Sequence, residues 1–363
     1  MSFLLLFFRE HSYGCGTVTG RRRTSTASEL WRYIHGDIDG GIRNHDGRLH
    51  QTPSDALGLN RKYTMSLHTT FLRIARFVVL PMMAMLSICG TAQAVSLDEY
   101  PELVKLADRL STEHGIDRGQ LLDWFREATI KPKIIDAMNR PAEKLSWNRY
   151  RGLFVNEASV RNGSRFMETH GQVLDRAQAQ FGVPREIICA IIGIETRYGT
   201  VMGNLRVLDS LTTLSMEYPR RSKFFSSELE QFMLLANEHG LDPLAVKGSY
   251  AGAMGIPQFM PSSYRNYAVD YDGDGRSDLL SSVEDAVGSV ANYLKVHRWR
   301  AGDPVTDTVP PQQAGGLEQF VTRRLKANTA LSTLVAAGLT PTQGADLNGN
   351  VGVLKFDDDG RPS

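Results

Sequence analysis

The sequence predicts a mainly α fold (α+β), with a small strand-bearing piece at its C-terminal end. Three observations predict it. Between residues 97 and 297, apolar side chains recur at three- and four-residue spacing in a series of stretches. Gly, Asp, Asn or Pro opens or closes most of these. Strand-like segments come only beyond residue 300.

The first helices are read from "LDEYPELVKLADRLSTEHG" (97–115) and "RGQLLDWFREA" (118–128). Asn156 is placed to cap one longer helix through "EASVRNGSRFMETHGQVLDRAQAQFG". Pro184 suits a first helical turn, and the helix around Cys189 is read as running to Gly199. "RRSKFFSSELEQFMLLANEHG" (220–240) and "VEDAVGSVANYLKVH" (283–297) are two more amphipathic helices. Between them, "GSYAGAMGIPQFMPSSY" and "DYDGDGRSD" are too rich in Gly, Pro, Ser and Asp for regular helix. "GDPVTDTVPPQQAGG" reads as linker or surface loop, and "GVLKFDDDG" as a short strand.

Lys and Arg total 41 against 40 Asp and Glu, a formal net charge of +1, which argues against a dedicated nucleic-acid binder. From Met65 the chain carries Arg73 and Arg76, then an apolar run from Phe77 to Cys89, then Ala92-Gln93-Ala94. That order is a secretory signal, and the run is shorter than the roughly 20 residues that span a bilayer. The expected organisation is therefore an upstream part, 1–64 (a mis-called start or a disordered extension), and a signal peptide, 65–94. A chain exported to the periplasm would then begin near Val95. Cleavage leaves Cys189 as the single cysteine, which reads as packing. Cys89 is disfavoured as a lipid-anchor site because bulky Ile88 precedes it.

Three stretches carry chemistry. In "AIIGIETRYG", Glu195 has Ile191, Ile192, Tyr198 and Gly199 as helical neighbours, with no Lys or Arg at pairing distance. Burial raises a carboxyl pKa, and a proton donor at neutral pH needs that shift. A general acid and a carboxylate satisfied by a distant Arg or backbone N–H both stay open. In "AGAMGIPQFMPSSY", Gly252 and Gly255 permit close backbone approach. Ser249 and Gln258 can bond hydroxyl or acetamido groups, and Met254, Phe259 and Met260 offer apolar surface. Such a lining suits an amino sugar; a glycine-rich turn over core residues is the plainer alternative. In the third stretch Asp270, Asp272 and Asp274 stand at positions one, three and five of a calcium loop, with Gly275 at six. Arg276 at seven offers only its carbonyl, and Asp278 falls at nine. Position twelve is Ser281, so Glu284 is the candidate to close a longer loop, with an exposed acidic turn as the alternative.

Taken together, "IIGIETRYGTVMGNLRVLDSLTTLSMEYPRRSKFFSSELEQFM", "KGSYAGAMGIPQFMPSSYRNYAVDYDGDG" and "AVGSVANYLKVHRW" strongly resemble the membrane-bound lytic murein transglycosylase B family, over about residues 97–357. The resemblance implies a lysozyme-like helical core (184–305, with the calcium loop 270–284). A helical N-terminal domain (95–183) and a small β-rich piece (306–363, a linker and an incomplete C-terminal part) would flank it. It implies Glu195 as catalytic acid and base, and Ser249, Gln258, Phe259, Tyr150, Tyr293, Arg220 and Arg221 as substrate-groove residues. It also implies Ca2+ on Asp270, Asp272, Asp274, the Arg276 carbonyl and Glu284, and no organic cofactor.

The implied substrate is peptidoglycan, cleaved at the β-1,4 bond between N-acetylmuramic acid and N-acetylglucosamine to give a 1,6-anhydro product. Other murein-synthesising or -degrading enzymes are implied partners. Ordinary glycosidases use two carboxyl groups; none stands near Glu195 in sequence, although a spatial neighbour such as Asp209 stays open. Family members continue past "VGVLKFDDDGRPS" with an aromatic- and Asn-containing stretch and a final helix, so this chain is expected to be short by several tens of residues. That departure keeps open a catalytically silent murein-binding protein, beside a hydrolytic muramidase. Pro257, where relatives often carry Gly, is a smaller departure.

Overall fold

A computed structural model describes residues 2–7, 93–139, 147–322, 327–341 and 349–356. The chain divides into two compact units, residues 1–40 with 94–363 and residues 41–93. Apart from Gln93, everything described belongs to the first. The expected leader, 65–94, lies outside the described residues except for its last two, as does the upstream part except for residues 2–7.

The amphipathic stretches fold as helices. α1 (Pro101–His114) starts on a proline and buries Leu103, Leu106, Ala107 and Leu110; Gly115, at φ 69°, closes it. Asp117 caps α2 (Arg118–Glu127) by accepting from the Gln120 N–H at 2.7 Å. α3 (Pro132–Met138) and α4 (Trp147–Phe154) follow. Asn156 accepts from the Ser159 N–H at 3.0 Å, the expected cap, and opens α5 (Glu157–Thr169). The single long helix expected there is two, because His170 (φ −111°, ψ 22°) leaves helical geometry ahead of Gly171, a weak helix former. α6 (Gly171–Phe181) continues beyond the break and buries Val173, Leu174, Ala177 and Phe181.

α7 (Arg185–Thr196) begins after Pro184, which sits at the cap rather than within the first turn. It ends three residues before Gly199, where Arg197, Tyr198 and Gly199 all have positive φ. α8 (Val207–Glu217) is buried at every position from Val207 to Ser215. With α9 (Ser222–His239), closed by Gly240, it forms the centre of the domain. α10 (Pro261–Tyr267) and α11 (Val283–Val296, capped by Ser282) complete the core. One apolar cluster, from Val95 to Leu294, takes residues from every one of these helices except α4. None of the described helices is long and apolar enough to cross a membrane.

The strands are short. β1 (Ser2–Phe7), β6 (Thr306–Val309), β7 (Thr329–Ala330) and β8 (Asn350–Phe356) form a sheet in the order β6-β1-β8-β7, with antiparallel pairing throughout. β1 is central, placing Leu4 opposite Thr308 on one side and Leu354 on the other. α12 (Pro311–Ala314) and α13 (Leu331–Ala336) accompany this sheet, and Val309, Leu317, Leu331, Leu334, Leu339, Val351 and Val353 form a second core. The remaining strands are two residues each: β2 (Gln93–Ala94), β3 (Thr129–Ile130), β4 (Leu205–Arg206) and β5 (Lys247–Gly248). β4 pairs antiparallel with β5, which delivers the chain into the glycine-rich loop at Ser249.

Candidate active site and acidic loop

Glu195 lies in the last turn of α7, 7% exposed, and neither carboxylate oxygen has a hydrogen-bond partner among the described residues. A distant Arg or backbone N–H therefore does not satisfy it. Burial alone pushes its pKa well above the ordinary carboxylate range, since no nearby donor favours the ionised form. Asp209, the acid weighed as a second carboxylate, is fully buried but engaged elsewhere. Arg206 and Lys131 approach it at 2.8 and 2.7 Å, and the Thr129 N–H donates to it at 2.9 Å.

The glycine-rich loop folds back on itself through antiparallel bridges, Gly248 with Met254 and Met254 with Phe259. Two side-chain bonds bring it to the end of α7. The Thr196 hydroxyl donates to the Ile256 carbonyl at 2.7 Å, and Gln258 Nε2 donates to the Met202 carbonyl at 3.1 Å. Gln258 Nε2 also donates to the Gly255 carbonyl, at 3.0 Å, so its amide oxygen is the atom left to accept from a ligand N–H or O–H. Ser249 Oγ accepts from the Ala253 N–H at 3.1 Å, which leaves its proton to donate. Gly255 adopts φ 75°, and a Cβ there would stand 2.4 Å from the Leu279 carbonyl oxygen, so only glycine lets the loop lie this close.

The other groove residues come from several elements. Phe259 is buried with its ring 5.4 Å from Tyr293 of α11, and Tyr293 stacks on His297 at 4.1 Å. Tyr150 lies on α4, half-exposed, 5.3 Å from Phe154. Arg220 is exposed at the entry to α9, and Arg221 lays its guanidinium over the Phe224 ring at 4.3 Å. No hydrogen bond from Tyr150, Arg220 or Arg221 reaches Glu195. The structure thus ties the helix that carries Glu195 to the loop of Ser249, Gln258 and Phe259 through the Thr196–Ile256 bond, and sets Phe259 against Tyr293, with the other three on separate elements.

The acidic loop turns tightly. Asp270 accepts from the Gly273 and Gly275 N–H groups at 2.7 and 2.8 Å, and Asp274 accepts from the Arg276 N–H at 2.8 Å. Carboxylate oxygens of Asp270, Asp272 and Asp285 lie within 4.8 Å of one another. Asp285 of α11 thus faces the loop, while Glu284, its neighbour and the acid expected to close the loop, stands outside this trio, as does Asp274. Asp285 is fully buried and accepts from the N–H groups of Tyr271 and Asp278, each at 2.6 Å, and of Asp272 at 3.3 Å. Loop spacing does not point to Asp285, because its contact with the loop depends on how α11 returns to it. An all-oxygen donor set of this kind fits a hard divalent cation such as Ca2+.

A buried acid on a helix tied to a loop with bonding capacity left on Ser249 and Gln258, in a mainly helical core, fits a glycan-cleaving enzyme. Residues 98–359 match the family model described as "Transglycosylase SLT domain". The chain is 43% identical to the membrane-bound lytic murein transglycosylase B of Escherichia coli (strain K12) over 267 residues, which is 71% of this chain and 72% of that protein. Its structure resembles that of catenated SltB1 from Pseudomonas aeruginosa (41% identity, TM-score 0.67, 72% of this chain and 86% of that one). It also resembles Escherichia coli Slt35 in complex with calcium (41% identity, TM-score 0.66, 75% and 85% covered). The chain belongs to this transglycosylase family, and its activity is that of a lytic murein transglycosylase.

Proposed function

We propose that Glu195 alone runs both proton transfers of a non-hydrolytic cleavage of peptidoglycan between N-acetylmuramic acid and N-acetylglucosamine. The observation that carries this is the buried carboxyl group with no partner on either oxygen among the described residues, where burial favours the protonated form that a proton donor needs. Glu195 gives that proton to the glycosidic oxygen as the bond from muramoyl C1 breaks, and N-acetylglucosamine leaves as the alcohol. The oxocarbenium-like centre is stabilised by the substrate's own acetamido oxygen. The Glu195 carboxylate then takes the proton of the C6 hydroxyl as that oxygen bonds to C1. A 1,6-anhydro sugar results, Glu195 regains its proton, and neither water nor a second carboxylate takes part.

In this proposal Gln258 Oε1 and the Ser249 hydroxyl hold acetamido and hydroxyl groups of the glycan, while Phe259, Tyr293 and Tyr150 offer rings to sugar faces. Arg220 and Arg221 face the acidic or peptide portions. Support for a peptide-bearing ligand comes from a 28%-identical relative, SltB3 from Pseudomonas aeruginosa, solved with NAG-NAM-pentapeptide (TM-score 0.55). Ca2+ would be held by Asp270, Asp272 and Asp285, with Asp274 and the Arg276 carbonyl adjoining, and would cross-link the loop to α11. A periplasmic location rests on the leader expected at 65–94 and on the relative being a membrane-bound murein enzyme. The test is Glu195→Gln, which keeps the size of the side chain and removes the proton. Turnover of purified murein should fall at least about a hundredfold, the lower end of the range for losing a general acid. A variant retaining wild-type turnover would refute the assignment.

A further inference from the structure

We propose that Thr196, the residue after Glu195, is a positioning residue that fixes the distance between the proton donor and the sugar-binding loop. The inference rests on the role given to Glu195 above. Thr196 is 1% exposed and its side chain joins three parts of the site. Its hydroxyl donates to the Ile256 carbonyl at 2.7 Å; the alternative acceptor, the Ile192 carbonyl one turn back, is 3.3 Å away. A hydroxyl has one proton, and the shorter bond across to the loop takes it. The same oxygen accepts from the Gly199 N–H at 2.9 Å. That second bond closes the turn in which Arg197 (φ 49°), Tyr198 (φ 62°) and Gly199 (φ 81°) all lie in the left-handed region.

The peptide that receives this bond is held from its other side as well. The Ile256 N–H donates to the Leu279 carbonyl at 2.8 Å, so Ile256 is pinned between α7 and the later part of the acidic loop. Ile256 stands two positions before Gln258 and three before Phe259. Any movement of this peptide away from α7 therefore carries the sugar-bonding groups away from Glu195. Gln258 supplies the return tie through the Met202 carbonyl, but from the loop's side chain to the chain beyond the turn. Thr196 is the tie that starts beside the acid itself. Losing it would leave the buried Ile256 carbonyl and the half-buried Gly199 N–H short of a partner.

The test compares Thr196→Val, which keeps the shape and removes the hydroxyl, with Thr196→Ser, which keeps the hydroxyl. Turnover and KM are measured on soluble murein glycan strands, with Glu195→Gln in parallel. Thr196→Val should lose about 10- to 100-fold in kcat, the scale expected for a misplacement near 1 Å, with KM changed less than about threefold. Thr196→Ser should stay within about threefold of wild type in both. Equal losses in the valine and serine variants would show that packing, not the hydroxyl, matters, and would overturn the proposal, as would a valine variant with wild-type kcat. Should Thr196→Val not fold, Thr196→Cys keeps the volume with a weaker donor, and wild-type kcat there overturns the proposal equally. A Glu195→Gln variant that still turns over substrate would instead overturn the role of Glu195, whatever the Thr196 variants do.

Discussion

Gly255→Ala probes the contact on which the sugar-binding loop depends. Two independent costs are expected. An L-residue at φ 75° costs about 1–2 kcal/mol against glycine. The new methyl would also stand 2.4 Å from the Leu279 carbonyl oxygen, an acceptor already fixed by the Ile256 N–H, so relief requires backbone movement. Forcing a methyl into such a contact costs about 1–3 kcal/mol. The sum, roughly 2–5 kcal/mol, corresponds to a fall in Tm of roughly 4–20 °C for a domain of this size. Gly115→Ala is the internal control, because Gly115 has a similar φ of 69° but nothing within 4 Å of its would-be Cβ. It should show only the conformational cost. Thermal unfolding followed by circular dichroism measures both. Gly255→Ala should also lower glycan affinity, since Gln258 bonds the Gly255 carbonyl. Equal Tm values for the two variants would refute the close approach.

Three further outcomes are expected. Glu195 keeps its proton to higher pH in the folded chain than in the unfolded one, so the folded state binds more protons above about pH 4.5 and stability falls as pH rises from there to the folded pKa. Glu195→Gln should therefore melt at the same temperature as wild type near pH 4 and at a higher one at pH 7; a variant less stable at pH 7 would contradict this. Asp285→Ala orphans three backbone N–H groups at about 1–3 kcal/mol for each left unpaired, and it should abolish any rise in Tm caused by added Ca2+. A calcium-dependent Tm that survives in this variant would remove Asp285 from the site. A chain beginning at Val95 lacks β1 and so the ladders to both β6 and β8. Limited proteolysis should then cut within 306–356 while leaving 98–300 intact, and equal resistance of both parts would count against β1 as a structural strand.

How legible these features were depended on what each one faces. The amphipathic helices α1, α2, α9 and α11 present one apolar face to the core, and the 3.6-residue period records it. α8 escaped the pattern because it is buried on all sides, with Ser210, Thr212, Thr213 and Ser215 inside, so it has no polar face to set the period. The break at His170 was hidden because the apolar period continues through it. Glu195 was conspicuous as a charge in an apolar run, yet only the fold shows that no distant group among the described residues satisfies it. The acidic loop announced itself by local spacing, whereas Asp285 needed the return of α11. Thr196 gave no signal at all: its partner, Ile256, is 60 residues away and offers only a backbone carbonyl.

The most direct test of the single-acid mechanism is the mass of the products. Purified murein digested by the wild-type protein should yield muropeptides ending in 1,6-anhydromuramic acid, one water lighter than hydrolysis products and resistant to borohydride reduction. Reducing muramoyl ends as the main product would mean that water attacks C1, and would contradict a Glu195 that acts as acid and then as base on the sugar's own hydroxyl.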